Sequence, residues 1–481
     1  MDVAEILRRS NQASLDSLVP LIKIQTRTDM KRYAQNGYSV GITAKEFSER
    51  YPLLPIENIY FSDNLFDTLY YGELNFEMPI VLNLQIYGNK RLAVKESDEE
   101  FQKRVLATVA NIKTLDKNKL SCYINSLSDG LSMSVLAAYV KRAKPSAALY
   151  DFFFSFYKYK DYGFAHLDLE DFEKVVAKKS EKAKNKTAEK TKALPDVVTI
   201  YRGEGDDSTP YTNTFSWTTS LQIATFFACR FLVNTRRGGT NGLQIATFFA
   251  CRFPSPKDSR IITATIPKSA IIEYFPDAEK EVIVSPSSIK NEKIQVLYGI
   301  DSVGHYYSAF DSLYQTYRRK IKRVYMDNNS SDHDATHTLR VLFDALMVVY
   351  VGEYNLTQKD LKRLCDAILY HDVGRINEDV DDLHGAASAK IYEKEVSAPD
   401  TITSFLVQYH CIDDNISMQA MKSLGFKAEE KVKLLYNILK DADALDRTRF
   451  GMKDVDPTYF RLPVSIQLLP TAQLCVGSLE L

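Results

Sequence analysis

The spacing of apolar residues changes character along the chain. Over residues 1–115, probable helices mix with extended apolar stretches such as MPIVLNLQIYG (Met78–Gly88), and no motif there carries chemistry. From about Ser126 to Val176 the pattern turns helical and aromatic, as in LSMSVLAAYVKRA and ALYDFFFSFYKYKDYGF. Apolar residues at that spacing read as a buried helical face rather than a cofactor box. Residues 196–300 are strand-rich, with VVTIYRGE, NTFSWTT, RIITATIPKSAIIEYF and EKEVIVSP as predicted strands. From about Ser312 onward the signal is almost wholly helical. This order predicts an α+β part followed by an all-α part.

One stretch occurs twice. LQIATFFACRF stands at Leu221–Phe231 and again at Leu243–Phe253. The first copy follows FSWTTS directly, and Thr219 with Gln222 has the spacing of a capping box. The second copy has Asn241 as a candidate cap after the turn-like RRGGTNG. The expectation is one helix in the core and a surplus helix joined by residues 232–242. The reverse assignment, with the second copy in the core, is the alternative.

Composition narrows the class. The 481 residues allow two to four domains. A formal net charge of −1 excludes a protein whose whole surface attracts nucleic acid or anionic membrane. Between Lys174 and Lys192 eight lysines accompany two glutamates, which reads as a solvated helix end or insertion. It leaves a nucleic-acid contact open. Six cysteines lie far apart without a CxxC, as in a reducing compartment, and argue against zinc–thiolate sites. The N-terminal MDVAEILRRSNQ lacks a basic region followed by an apolar one, and no apolar run spans a bilayer. The expectation is a cytoplasmic protein, or one delivered into a host cytosol by a specialised route, without a membrane partner.

Two groups of residues carry chemistry. VTIYRGE puts Arg202 at the end of a predicted strand, FSWTTSLQIATFFA follows, and DAEKEVIV puts Glu279 and Glu281 at the start of a third. Strand alternation predicts both glutamates on one face, with Lys280 pointing away. An arginine can clamp a diphosphate through two charge-assisted bonds. A glutamate can hold a ribose hydroxyl and stabilise a developing oxocarbenium ion, while a second orients and deprotonates a nucleophile. In this order the pieces resemble the Arg-Ser-Glu class of mono-ADP-ribosyltransferases, NAD-dependent enzymes with a split β-sandwich. The resemblance covers roughly residues 130–300, most closely 197–290. It implies that Arg202 and Gly203 bind NAD, that Glu281 is the catalytic glutamate, and that Glu279 presents an acceptor arginine. It also implies that Tyr274–Ala278 touches the target. The serine lies in SWT (Ser216–Thr218) or TTS (Thr218–Ser220). Ala224, eight residues after Ser216, favours Ser216, with Thr218 as a second polar partner; Trp217 departs from the family's usual threonine.

The second group is DHDATHTLRVL, CDAILYHDVGR, DDLHGAASA, LVQYHC and LKDADALDRTRF. Five of seven histidines fall in this helical region, and neighbouring His371 and Asp372 can offer a nitrogen and an oxygen to one cation. Imidazole and carboxylate ligands suit Mn, Fe, Ni, Co or Mg. The series resembles the all-helical HD superfamily of metal-dependent phosphohydrolases, over roughly residues 325–470. The resemblance implies that His337, His371, Asp372 and Asp443 hold a first metal, with Asp441 competing for the last place. It also implies that His384 and His410 hold a second. His333 reads as a cap-region residue.

The expected organisation is therefore residues 1–120 of unassigned role, a transferase domain at 121–305 and an HD domain at 320–481. Residues 174–192 are a lysine-rich insertion in the transferase and 221–253 a duplicated segment. The expected activity moves ADP-ribose from NAD to a macromolecule, protein arginine before nucleic acid, beside a phosphohydrolase of one or two divalent ions acting on a nucleotide or phosphoester. The alternatives are a transferase acting on nucleic acid, and a toxin or effector whose helical part senses a nucleotide or is structural.

Overall fold

A computed structural model describes residues 13–29, 42–62, 68–84, 96–115, 117–157, 166–205, 208–229, 259–277, 279–325, 334–375 and 383–476. The fold is mixed α+β with two antiparallel sheets. It divides into two compact units, Met1–Leu194 with Thr212–Phe215, and Pro195–Tyr211 with Ser216–Leu481. The second repeat copy, Leu243–Phe253, its connection 232–242 and His333 lie outside the described residues.

In the first unit β1 (Val19–Pro20), β2 (Ile59–Ser62), β3 (Thr68–Glu73) and β4 (Ile80–Asn83) form a sheet in that order. Helix α1 (Ala44–Arg50) precedes β2. After the sheet come α2 (Asp98–Lys113), α3 (Lys117–Asn125), α4 (Asp129–Arg142), α5 (Ala147–Tyr157), α6 (Leu169–Val176) and α7 (Glu181–Lys190). Reciprocal caps, Thr43 with Glu46 and Ser97 with Glu100, start α1 and α2. The aromatic run on α5 is buried, and Phe172 of α6 stacks on Phe215 with ring centroids 3.9 Å apart. The lysine-rich stretch forms α7, capped by Ser180, with Lys182, Lys184 and Lys186 exposed.

In the second unit β5 (Val197–Glu204), β6 (Ser216–Thr218), β7 (Arg260–Pro267), β8 (Ile271–Phe275), β9 (Glu281–Val284) and β10 (Lys290–Val296) form an antiparallel sheet. Its order is β10–β7–β5–β6–β9–β8. β5 pairs with β7 along its full length but meets β6 only where Tyr201 faces Thr218, so two three-stranded halves join at one residue pair. Helix α8 (Leu221–Cys229), the first repeat copy, packs across β5. Gly203 makes that approach possible: a Cβ there would lie 1.8 Å from the Ala224 carbonyl oxygen. The predicted capping box at the start of α8 is not formed. Ser220 caps instead, its hydroxyl accepting from Ile223 N at 3.4 Å, while the Gln222 amide donates to the Lys453 carbonyl at 2.8 Å.

The helical part comprises the short α9 (Ile300–Val303), α10 (Tyr307–Val324), α11 (Ala335–Val351), α12 (Gln358–Tyr370) and α13 (His384–Glu395). It continues with α14 (Thr401–Tyr409), α15 (Asp414–Leu424), α16 (Glu429–Asp446), α17 (Pro463–Gln467) and α18 (Leu469–Cys475). Buried Tyr307, Phe310, Tyr314, Tyr317 and Ile321 trace the apolar stripe of α10. α11 is buried from His337 to Val349 and packs against α10, α12 and α16. One apolar core runs from Ala224, Ala228, Ile261 and Leu297 beside the sheet to Leu342 and Leu439 in the helices. The sheet and the helices, separated by the sequence pattern, thus share one unit, because the apolar outer face of α8 needs cover. The turns around Met452–Asp454 and Pro457–Tyr459 give it, with Lys453 Nζ 5.1 Å from the centre of the Phe226 ring.

Candidate functional site

Five helix ends bring six of the singled-out residues together. His337 lies in the first turn of α11, which Asp334 caps by accepting from Thr336 N and His337 N at 2.8 and 2.9 Å. His371 and Asp372 follow the last turn of α12, and His410 follows that of α14. His384 opens α13, and Asp443 lies near the end of α16. Asp372 stands between two groups. Its Oδ2 is 3.4 Å from His337 Nε2 and 3.3 Å from His371 Nε2. Its Oδ1 is 3.2 Å from His384 Nε2 and 3.4 Å from His410 Nε2. Asp443 Oδ1 joins the first group at 3.4 Å from His337 Nε2, and Cys411 joins the second.

The imidazoles are turned inward by what holds their outer nitrogens. His371 Nδ1 donates to the Ile368 carbonyl at 2.7 Å and His410 Nδ1 to the Val407 carbonyl at 2.8 Å. Asp446 Oδ2 lies 2.7 Å from His337 Nδ1 and is itself held by Arg340 and Arg449. Such outer partners fix ring orientation and tautomer. Nε2 atoms and carboxylate oxygens consequently converge at 3.0–3.4 Å. That matches the edges, roughly 3.0–3.5 Å, of a polyhedron with metal–ligand bonds near 2.1 Å. The residues fit one or two divalent cations.

Electrostatics agree with that donor set. Burial pushes the His371 imidazole down to about 4, so it stays neutral. Burial opposes charge on His337 too, but Asp372, Asp443 and Asp446 outweigh it and raise the group well above its ordinary range. Burial works against ionised Asp372, yet the surrounding histidines hold it well below the usual carboxylate range. A proton on His337 balances these acids where a cation can do so with more charge. His384 is raised to about 10: burial lowers it, and Asp372 and Cys411 overcome that. Arg375 Nη1 lies 3.4 Å from its Nδ1.

Asp441, the competitor of Asp443, has another task. It is buried and accepts from Arg461 N, Leu462 N and Ser465 Oγ at 2.8–3.1 Å, fastening the segment after α16. Asp443 is the part-exposed member of the first group, whereas His337 and His371 are fully buried. A cavity of about 300 Å³ reaches Asp443, lined also by Arg447, Tyr459 and Phe460.

The other candidate residues lie on the joined halves of the second sheet. Arg202 on β5 donates from Nη1 to the Ser216 carbonyl at 2.9 Å, from Nη2 to the Thr209 carbonyl at 2.7 Å, and from Nε to Glu204 at 3.2 Å. Ser216 Oγ on β6 donates to Glu281 Oε1 on β9 at 2.5 Å. Thr218, directly opposite Glu281, donates to the Glu279 carbonyl at 2.7 Å. The strand expected to carry both glutamates begins only at Glu281. Lys280 has φ 47°, a left-handed turn, so alternation does not extend back to the exposed Glu279.

Cys411 and Asp446 were not singled out from the sequence. The signal for Cys411 was its place beside His410; for Asp446 it was the spacing of three from Asp443 on one helix. No described helix is long and apolar enough to cross a membrane. No family model, curated protein or solved structure matches the chain.

Proposed function

We propose that the chain joins an NAD-dependent ADP-ribosyltransferase to a metal-dependent phosphohydrolase of the HD type. The observation that carries the hydrolase half is Asp372, whose two oxygens each face a separate pair of imidazoles. His337, His371, Asp372 and Asp443 would hold one divalent ion, and His384, His410 and Asp372 another. Bound ions would supply Lewis acidity there, neutralising phosphoryl charge and lowering the pKa of a water. Asp446 keeps His337 turned inward, and buried His337 and His371 keep bulk water from that side. Substrate then enters through the cavity at Asp443, where the Arg447 cation suits a phosphate and Tyr459 a nucleobase.

The transferase half is supported by Ser216, Glu281 and Arg202 meeting on three neighbouring strands. Arg202, held in place by Glu204 and the Ser216 and Thr209 carbonyls, would bind the diphosphate. Ser216 orients Glu281, which holds the ribose hydroxyl as the bond from nicotinamide nitrogen to ribose carbon breaks. The acceptor nitrogen then forms the new bond to that carbon and gives its proton to Glu279. Nicotinamide departs with the electron pair of the broken bond.

Labelled NAD mixed with a cell lysate tests the transfer. Label should enter protein and survive nuclease; loss of label to nuclease alone points to a nucleic-acid acceptor. Hydrolysis is tested with a chelator-treated sample and Mn²⁺. Phosphodiester cleavage should return with the metal and be absent in Asp372→Asn. Absence of both metal uptake and cleavage in the unaltered protein would remove the hydrolase reading.

A further inference from the structure

We propose that Cys411 is a metal ligand, making the half of the centre on His384 and His410 a nitrogen–sulfur site for a thiophilic ion such as Zn²⁺, Fe²⁺ or Co²⁺. The half on His337, His371 and Asp443 offers only nitrogen and oxygen. The inference rests on reading Asp372 as a bridge between two ions.

Cys411 follows His410 directly after the end of α14, and its sulfur lies within 4.8 Å of the ligand atoms of His384 and His410. A polyhedron with metal–sulfur bonds of about 2.3 Å and metal–nitrogen bonds of about 2.1 Å has sulfur–nitrogen edges of roughly 3.5 Å. Separations of up to 4.8 Å include such edges. Arg375, which can only donate, turns from His384 Nδ1 when that ring binds a cation, and the present contact of 3.4 Å is weak.

The backbone is fitted to the sulfur. The Gly385 N–H, in the first turn of α13, donates to Cys411. A Cβ on Gly385 would sit 2.9 Å from Cys411 Sγ and 2.6 Å from the Gln408 carbonyl oxygen. Glycine therefore lets α13 come close enough for its N–H to meet the sulfur, as an outer partner of a thiolate ligand does. Cys229, Cys365 and Cys475 are fully buried in the apolar core, whereas Cys411 is half-buried against two imidazoles. On coordination the thiol proton passes to solvent and the sulfur–metal bond takes its place. Thiolate and imidazole together select softer ions, while imidazole with carboxylate accepts harder ones. The two halves then differ in metal preference although one carboxylate joins them.

The test uses the full chain, stripped by chelator and titrated with Co²⁺. The expected result is a near-ultraviolet sulfur-to-cobalt charge-transfer band beside the visible d–d bands. In Cys411→Ser the charge-transfer band is lost while cobalt remains bound at the other half. Cobalt d–d bands without charge transfer overturn the Cys411 assignment and leave the metal reading standing; no cobalt binding at all overturns both. Should Cys411→Ser lose its helical circular dichroism, alkylation of the unaltered protein decides. Co²⁺ should abolish carbamidomethylation of Cys411 in peptide mapping, and unchanged labelling overturns the assignment.

Discussion

Two aspartates on α16, two residues apart, are set to different tasks by what their side chains meet. Asp441 ties two backbone N–H groups and a serine hydroxyl in a buried pocket. Asp441→Ala leaves those donors unpaired and should cost on the order of 2–4 kcal/mol in denaturant unfolding. Asp443 is part-exposed and faces His337, so Asp443→Ala should leave the unfolding midpoint near that of the parent. Its metal affinity, read by competition with a chromophoric chelator, should fall by about 100-fold or more, since even outer partners are worth about 10–100-fold. In the sheet, Glu281→Gln keeps a partner for Ser216 but loses the charge. Transfer of label from NAD should drop by about 10²-fold or more, with circular dichroism unchanged. His371 and Asp372 stood out in the sequence because they stand side by side among crowded histidines, and Asp443 stood out through the resemblance. Cys411 did not, because without a CxxC the thiol gains meaning only when His384 arrives from another helix.

Elements meet where a side chain is missing or a charge is shared. α8 reaches β5 only because Gly203 is bare, and Gly203→Ala must push the helix away from a rigid carbonyl. The expected loss is about 1–3 kcal/mol by denaturant unfolding, and NAD-dependent labelling should fall with it. At the start of α15, Asp414 is held by Lys440 of α16 and by Arg461. Burial pushes its carboxyl up, but Arg461 and Lys440 outweigh this and bring it from 3.8 to about 2. A depressed carboxyl stabilises the fold above its ordinary pKa and ceases to do so as pH falls through the lower value. The melting temperature of the parent should therefore exceed that of Asp414→Asn near neutral pH, and the gap should close between about pH 4 and pH 2. Periodicity marked the helical regions from Ser126 and from Ser312 and the segments of β5 to β9, but not β1, β2, β3 or β10. It could not show the left-handed Lys280 that withdraws Glu279 from β9, since one φ angle leaves no mark on a hydrophobic pattern. Nor could it choose Ser220 over Thr219 as the cap of α8, because both can accept a backbone N–H.

Across the second unit the sheet and the helices share one core, so they should unfold together. Tyr298 N donates to the Gln467 carbonyl at 2.6 Å, and the segment from Met452 to Tyr459 covers α8. A chain truncated after Tyr325 should expose the apolar faces of α8 and α10 and fail to give a protease-resistant sheet. Limited proteolysis with circular dichroism reads this directly, and a stable fragment would show that the sheet is self-sufficient. The sequence by itself determined the α+β class, the change from strands to helices near residue 300, and which residue types gather near the metal candidates. Those properties follow from local spacing and composition, which each segment carries alone. Tertiary structure decided that Asp372 faces two histidine pairs, that Cys411 joins one of them, and that the first repeat copy is buried between sheet and helices. Each of these depends on groups far apart in sequence meeting at about 3–5 Å, a distance that packing sets and no local pattern encodes.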